Sequence, residues 1–146
     1  MAQGRARRIL IDGSMAKGGG GFTYLVNILP RLTAMAPDDR FRVLVRSERL
    51  AGSIRPSPNL EVDLLPDAPW PQRLRFTYRD VPRLAKAWGA DLYFSAGESA
   101  PLRAPCPMIA AFRNPNVYTA LDQGWSWKQR LRLRVLRDAH ARLCPQ

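Results

Sequence analysis

The chain is poor in the residues from which many catalytic centres are built. One histidine, His140, stands among 146 residues, so a Ser-His-Asp or Cys-His hydrolase would have to recruit it from the last helical segment; an exposed helix histidine is the simpler reading. The two cysteines, Cys106 and Cys144, show no CxxC spacing and no histidine cluster, which argues against a disulfide framework or a zinc site and fits a reducing compartment. No two of the nine aspartates stand two apart, so an Asp-x-Asp pair for a metal-bound nucleotide is missing. Long apolar runs are missing too. The stretch behind Arg5, Arg7 and Arg8 ends at Ile11, too short for a signal-peptide core, and nothing approaches the roughly 20 residues of a spanning helix. Membrane contact is therefore expected to be peripheral, on a cytoplasmic protein at the inner membrane face.

Lysine is scarce, but arginine is not. Lys and Arg together number 23 against 12 acids, a net charge of +11, and only Lys17, Lys86 and Lys128 are lysines. This surplus favours anionic partners: nucleic acid, an acidic membrane face or a phosphorylated small molecule. Charge alone does not choose among them, because the arginines are scattered along the chain. Apolar residues make up 46%, enough for a core, and the length suits one domain over residues 1–146.

The apolar pattern alternates between strand and helix periods. Strands are expected over 8–13, 41–45, 60–65, 91–95 and 108–112, and helices over 22–36, 72–88 and 125–143, with a kink at Pro30 and an interruption at Pro82. Near-continuous apolar strands in this order predict an α/β fold, a Rossmann-like parallel sheet with helices on both faces. Ligands in such sheets bind beyond the carboxyl ends of the strands, which here lead into 12–21, 46–48, 95–98 and 113–118.

The first of these loops holds Gly18, Gly19, Gly20 and Gly21, set between the strand and the helix pattern that begins at Phe22. Without Cβ atoms the backbone can approach a ligand closely, and the N–H groups of the following helix favour an anion. A mobile linker is the plain alternative. The run is neither a GxGxxG fingerprint, since Thr23 stands at the third position, nor a Walker A loop, since Lys17 precedes the glycines; no dinucleotide or other cofactor is expected. Glu98, after Gly97, suits a general base, an acceptor of a sugar hydroxyl bond, or a loop cap. Arg113 suits a bidentate phosphate clamp, with Asn114 and Asn116 as hydroxyl partners, unless Asn-Pro-Asn is only a turn. Between 125 and 146, Lys128, Arg130, Arg132, Arg134, Arg137 and Arg142 interleave with leucines, either a solvated face over an apolar stripe or a surface for anionic lipid or nucleic acid.

The segments ILIDGSMAKGGGGFTYLVNILPRL, RFRVLVRS, NLEVDLLP, DLYFSAGE and MIAAFRNPNVYT together resemble the N-terminal half of a family 4 glycosyltransferase of GT-B architecture, over nearly the whole chain. In that family two Rossmann-like domains face each other across a cleft, the first holding mainly the acceptor and the second the nucleotide sugar. The resemblance implies substrate-binding roles for Gly18 to Gly21 near the donor diphosphate and for Arg113 and Asn114 at the cleft edge. It also marks departures. The family's glutamate pair, eight positions apart, has no counterpart among Glu48, Glu61 and Glu98, and Arg113-Asn114 stands where many relatives carry a histidine. The donor-binding domain is thus expected to be absent from this chain and supplied by a partner chain or by the rest of a longer protein.

The function implied is the acceptor-side half of a retaining transferase, acting on a nucleotide sugar and a sugar or lipid-linked acceptor, with no catalytic residue assigned. The alternatives are a noncatalytic basic module for nucleic acid or anionic membrane, nucleic acid being the less favoured, and an inactive fragment.

Overall fold

The computed structural model describes residues 5–97, 99–111 and 124–143, except the side chains of 132, 139, 140 and 143. Five strands, β1 (Arg8–Asp12), β2 (Arg40–Val45), β3 (Leu60–Leu64), β4 (Leu92–Ser95) and β5 (Met108–Ala110), form one sheet in the order β3-β2-β1-β4-β5. Every pairing is parallel, with Ile11 opposite Val43 on one side of β1 and Phe94 on the other. The α/β, Rossmann-like architecture expected from the apolar pattern is what the chain adopts.

The period of two along each strand divides the core between two faces. On one face Ile11, Val43 and Val45 pack with Leu25 and Leu29 of α1 (Gly19–Met35) and Leu50 of α2 (Glu48–Ser53). On the other, Leu10, Leu44 and Tyr93 meet Val81 and Ala85 of α4 (Val81–Trp88). Strands covered on both sides need no polar alternation, which is why β1 and β2 read as apolar runs.

Several elements differ from the sequence expectation. Helix α1 begins at Gly19 rather than Phe22, so Gly19 to Gly21 form its first turn, and it passes through Pro30 without ending. Helix α2 is short; the Ser47 hydroxyl caps it by accepting from the Leu50 N–H at 3.2 Å, a signal hidden in the polar stretch after β2. The helix expected to break at Pro82 instead runs on from α3 (Trp70–Arg75) through a π-turn (Phe76–Asp80) into α4. A bond from the Val81 N–H to the Phe76 carbonyl widens the turn just ahead of the proline, whose ring would crowd an ordinary α-turn. Gly89, at φ +69°, ends α4 in the left-handed region that favours glycine. The last helix, α5 (Trp127–Leu143), starts two residues later than expected.

Two polar clasps close the edge at the amino ends of the strands. The Asn59 amide donates to the carbonyls of Thr33, Ala36 and Asp39 at 3.2, 3.1 and 3.1 Å, tying the end of α1 to the start of β3. The Asp39 carboxylate accepts from the Arg7 backbone N–H at 2.9 Å and from Arg7 Nη2 at 2.8 Å. Burial alone would raise its pKa, but the Arg7 bonds and charge outweigh that and hold it below the ordinary carboxylate value.

Asn59→Ala leaves three carbonyls without their donor and is expected to cost about 1–3 kcal/mol in urea unfolding. The Asp39 clasp has a pH signature. Because the folded pKa is depressed, its stabilisation is fully present above the unfolded carboxyl pKa of about 3.9 and is lost as pH falls through the folded value. The urea midpoints of the wild type and Arg7→Ala should therefore differ at neutral pH and converge as the pH drops below about 4.

Candidate functional site

The strand order reverses between β1 and β4, since the connection after β1 leads to β2 and that after β4 to β5. This is the switch point at which open α/β sheets hold their ligands. Asp12, at the end of β1 beside this switch point, is 3% exposed. Its Oδ1 accepts from the Ser14 N–H at 2.9 Å and its Oδ2 from the Tyr93 hydroxyl at 2.9 Å. Burial, then the charge of Asp12 and the bond to it, push the Tyr93 phenol well above its ordinary pKa. Tyr93 is thus a fixed donor. At the end of β4, Ser95 Oγ donates to the Ser99 carbonyl at 2.7 Å. A Cβ on Gly97 would come within 3.2 Å of the Met15 Cβ, so the loops after β1 and β4 lie against each other.

Gly18 to Gly21 stand at this edge of the sheet as the start of α1. Gly18 is its N-cap with extended backbone, no side chain caps the helix, and the first turn holds no acid. Gly18, Gly19 and Gly20 are exposed, and a Cβ on any of them would meet nothing within 4 Å among the described residues. Gly19 sits at φ +60°, where a side chain is strained. The helix therefore presents the positive end of its dipole and its first N–H groups to open space. Gly20 also begins a shallow groove that follows α1 past Tyr24, Ile28 and Arg31.

A cationic group stands on the neighbouring connections. Lys17 Nζ and Arg73 Nη2 each reach Asp67 Oδ1 at 2.8 Å. The Lys17 bond, ahead of the Ala68 N–H, draws the Asp67 carboxyl below its ordinary pKa. Arg46, at the end of β2 and 8% exposed, donates through Nη1 to the Pro66 carbonyl and lies 4.8 Å over the Phe76 ring. Burial, and then repulsion from Arg73, lower its pKa, while Asp12 and Asp67 pull the other way. Its Nε is buried without a partner among the described residues, as are Trp70 Nε1, Thr77 Oγ1 and Ser99 Oγ. Such atoms cost about 1–3 kcal/mol each when left unpaired.

Of the residues singled out from sequence, the four glycines are placed at this edge, whereas Glu98, Arg113 and Asn114 lie outside the described residues. Asp12, Tyr93 and Arg46 were not singled out as site residues. Asp12 and Arg46 each follow directly on a buried apolar run, and that abrupt polar end is the signal that finds them. Among the described residues no group of three or more His, Cys, Asp or Glu is placed to hold a metal ion, and no helix is long and apolar enough to cross a membrane.

Tyr93→Phe removes one of the two donors to a buried carboxylate and is expected to cost about 1–3 kcal/mol. The phenol also leaves a spectroscopic mark. With its folded pKa raised, stability falls as pH rises above the unfolded value of about 10. Alkaline absorbance titrations of wild type and Tyr93→Phe should overlap while both are folded and then differ by one phenol on unfolding.

Comparison of the chain with models of known families, with characterised proteins and with solved structures yields no match, so topology and residues alone bear on what this edge does.

Proposed function

We propose that the chain is the acceptor-side half of a retaining glycosyltransferase of the GT-B kind, completed by a domain that carries the donor's nucleotide. The supporting observation is the uncapped glycine start of α1 at the switch point of a parallel β3-β2-β1-β4-β5 sheet. In such a transfer the bond from the anomeric carbon to the diphosphate breaks, the acceptor oxygen bonds to that carbon, and the acceptor proton leaves with the diphosphate. Negative charge grows on the departing phosphate, and fixed N–H groups that need no reorganisation stabilise it best. The first turn of α1 supplies such groups, and Lys17 adds a positive charge beside them. Neutral groups across the switch point orient the acceptor hydroxyl. The resemblance puts Arg113 and Asn114 at the cleft edge, where their chemistry suits Arg113 as a second phosphate partner and Asn114 as a sugar contact; Glu98, by its own position after β4, suits a sugar hydroxyl.

Gly20→Asp tests this reading because it separates binding from stability. An acid in the first turn complements the helix dipole by about 0.3–1 kcal/mol and meets no neighbour, so the fold should be as stable or slightly more so. The same carboxylate repels a diphosphate. Calorimetric titration with inorganic pyrophosphate, the group the α1 start is proposed to meet, should show saturable binding to the wild type and at least about a tenfold loss in the variant, the effect of about 1.4 kcal/mol. Absence of saturable binding to the wild type, or indifference to Gly20→Asp, would sink the proposal.

A further inference from the structure

Helix α5 carries a surface that the switch-point site does not use. Its buried side chains, Leu133 and Leu136, pack with Trp125 and define its inner face. On the opposite side Trp127 is 66% exposed and Leu131 50% exposed, one helical turn apart. Lys128, Arg130, Arg134 and Arg142 stand exposed around them, and Asp138 is the one acid in the helix. Lys128 Nζ lies 5.7 Å from the Trp127 ring. None of these four cations is in an ion pair among the described residues.

An exposed tryptophan and leucine on one stripe, flanked by cations, match the boundary between headgroups and acyl chains of an anionic bilayer. The apolar pair enters the boundary while the arginines stay at the phosphates. We infer that α5 docks the protein on an anionic lipid surface, lying in its plane, with Trp127 and Leu131 inserted and Lys128, Arg130, Arg134 and Arg142 against the headgroups. A nucleic-acid backbone would use the cations but give the exposed Leu131 nothing to bury against, so lipid is the better match. The inference stands apart from the sugar-transfer reading, because vesicle and pyrophosphate binding are measured separately.

The test is cosedimentation of the protein with vesicles of phosphatidylcholine containing about one part in four phosphatidylglycerol, compared with pure phosphatidylcholine. Binding is expected to the anionic vesicles only. Trp127→Ala with Leu131→Ala keeps every charge and should weaken it at least about tenfold, and Arg130→Gln and Arg134→Gln should each weaken it about fivefold. Both pairs lie away from Leu133 and Leu136, so the urea midpoint should not move. Trp127→Phe, the milder change, should keep binding and remove most of the blue shift in tryptophan emission on vesicle addition. Equal binding to both vesicle types would overturn the inference. So would full binding by the Trp127→Ala, Leu131→Ala variant, which would leave a charge-only surface that duplex DNA should occupy as well. A dimer abolished by that variant, in a wild type with no vesicle affinity, would assign the face to a second copy instead.

Discussion

The carboxylate of Asp12 has almost no access to water, so its hydrogen bonds must be met inside the fold. It closes a central strand covered on both faces, and its two side-chain oxygens are divided between the chain just ahead and the neighbouring strand. The bond to Ser14 turns the backbone away from the sheet toward the glycines. The bond from Tyr93 joins β1 to β4 where their connections part. A buried ion of this kind costs free energy unless its partners are in place, so the local backbone, the β1–β4 pairing and the approach to α1 depend on one another.

Arg46 lies under the same constraint from the opposite charge. Its guanidinium is held by a carbonyl, an aromatic face and the field of Asp12 and Asp67, and among the described residues its buried Nε has no partner. The aromatic face comes from Phe76, the first residue of the π-turn. Pro82 therefore has an effect away from its own position: the widened turn ahead of it is the segment that contributes Phe76 beneath Arg46 and the unpaired hydroxyl of Thr77. π-turns inside helices often fall at functional sites, and this one supports the Arg46 guanidinium that follows β2.

The sheet was legible in the sequence because a strand covered on both faces leaves a strong and simple trace. The runs Ile9 to Ile11 and Val43 to Val45 have no other reasonable home, and their parallel pairing follows from the helical stretches between them. Less visible were features set by geometry rather than composition. Helix α2 has six residues and depends on one serine cap. The π-turn depends on the offset between Phe76 and Pro82. The start of α1 was placed three residues late because glycine has poor helix propensity, yet tertiary packing of Leu25 and Leu29 extends the helix back into the glycines. For the site, the glycine run stood out by its composition, whereas Tyr93 and Arg46 acquire their roles only through partners distant in sequence.

The glycines of that first turn run against stability. Each costs up to about 1 kcal/mol relative to alanine in a helix, and an uncapped start forgoes about 1 kcal/mol more that Ser or Asp at Gly18 would add. Packing accounts for part of the run. Gly19 needs its positive φ, and a Cβ on Gly21 would crowd Ala16 at 3.2 Å. Among the described residues it does not account for Gly18 or Gly20, which have extended or helical backbone and meet no atom within 4 Å where a side chain would begin. At those two positions any small residue would fit and most would stabilise. What glycine uniquely leaves there is bare main chain at the positive end of a helix, which is a reason to look for the negative charge that it meets.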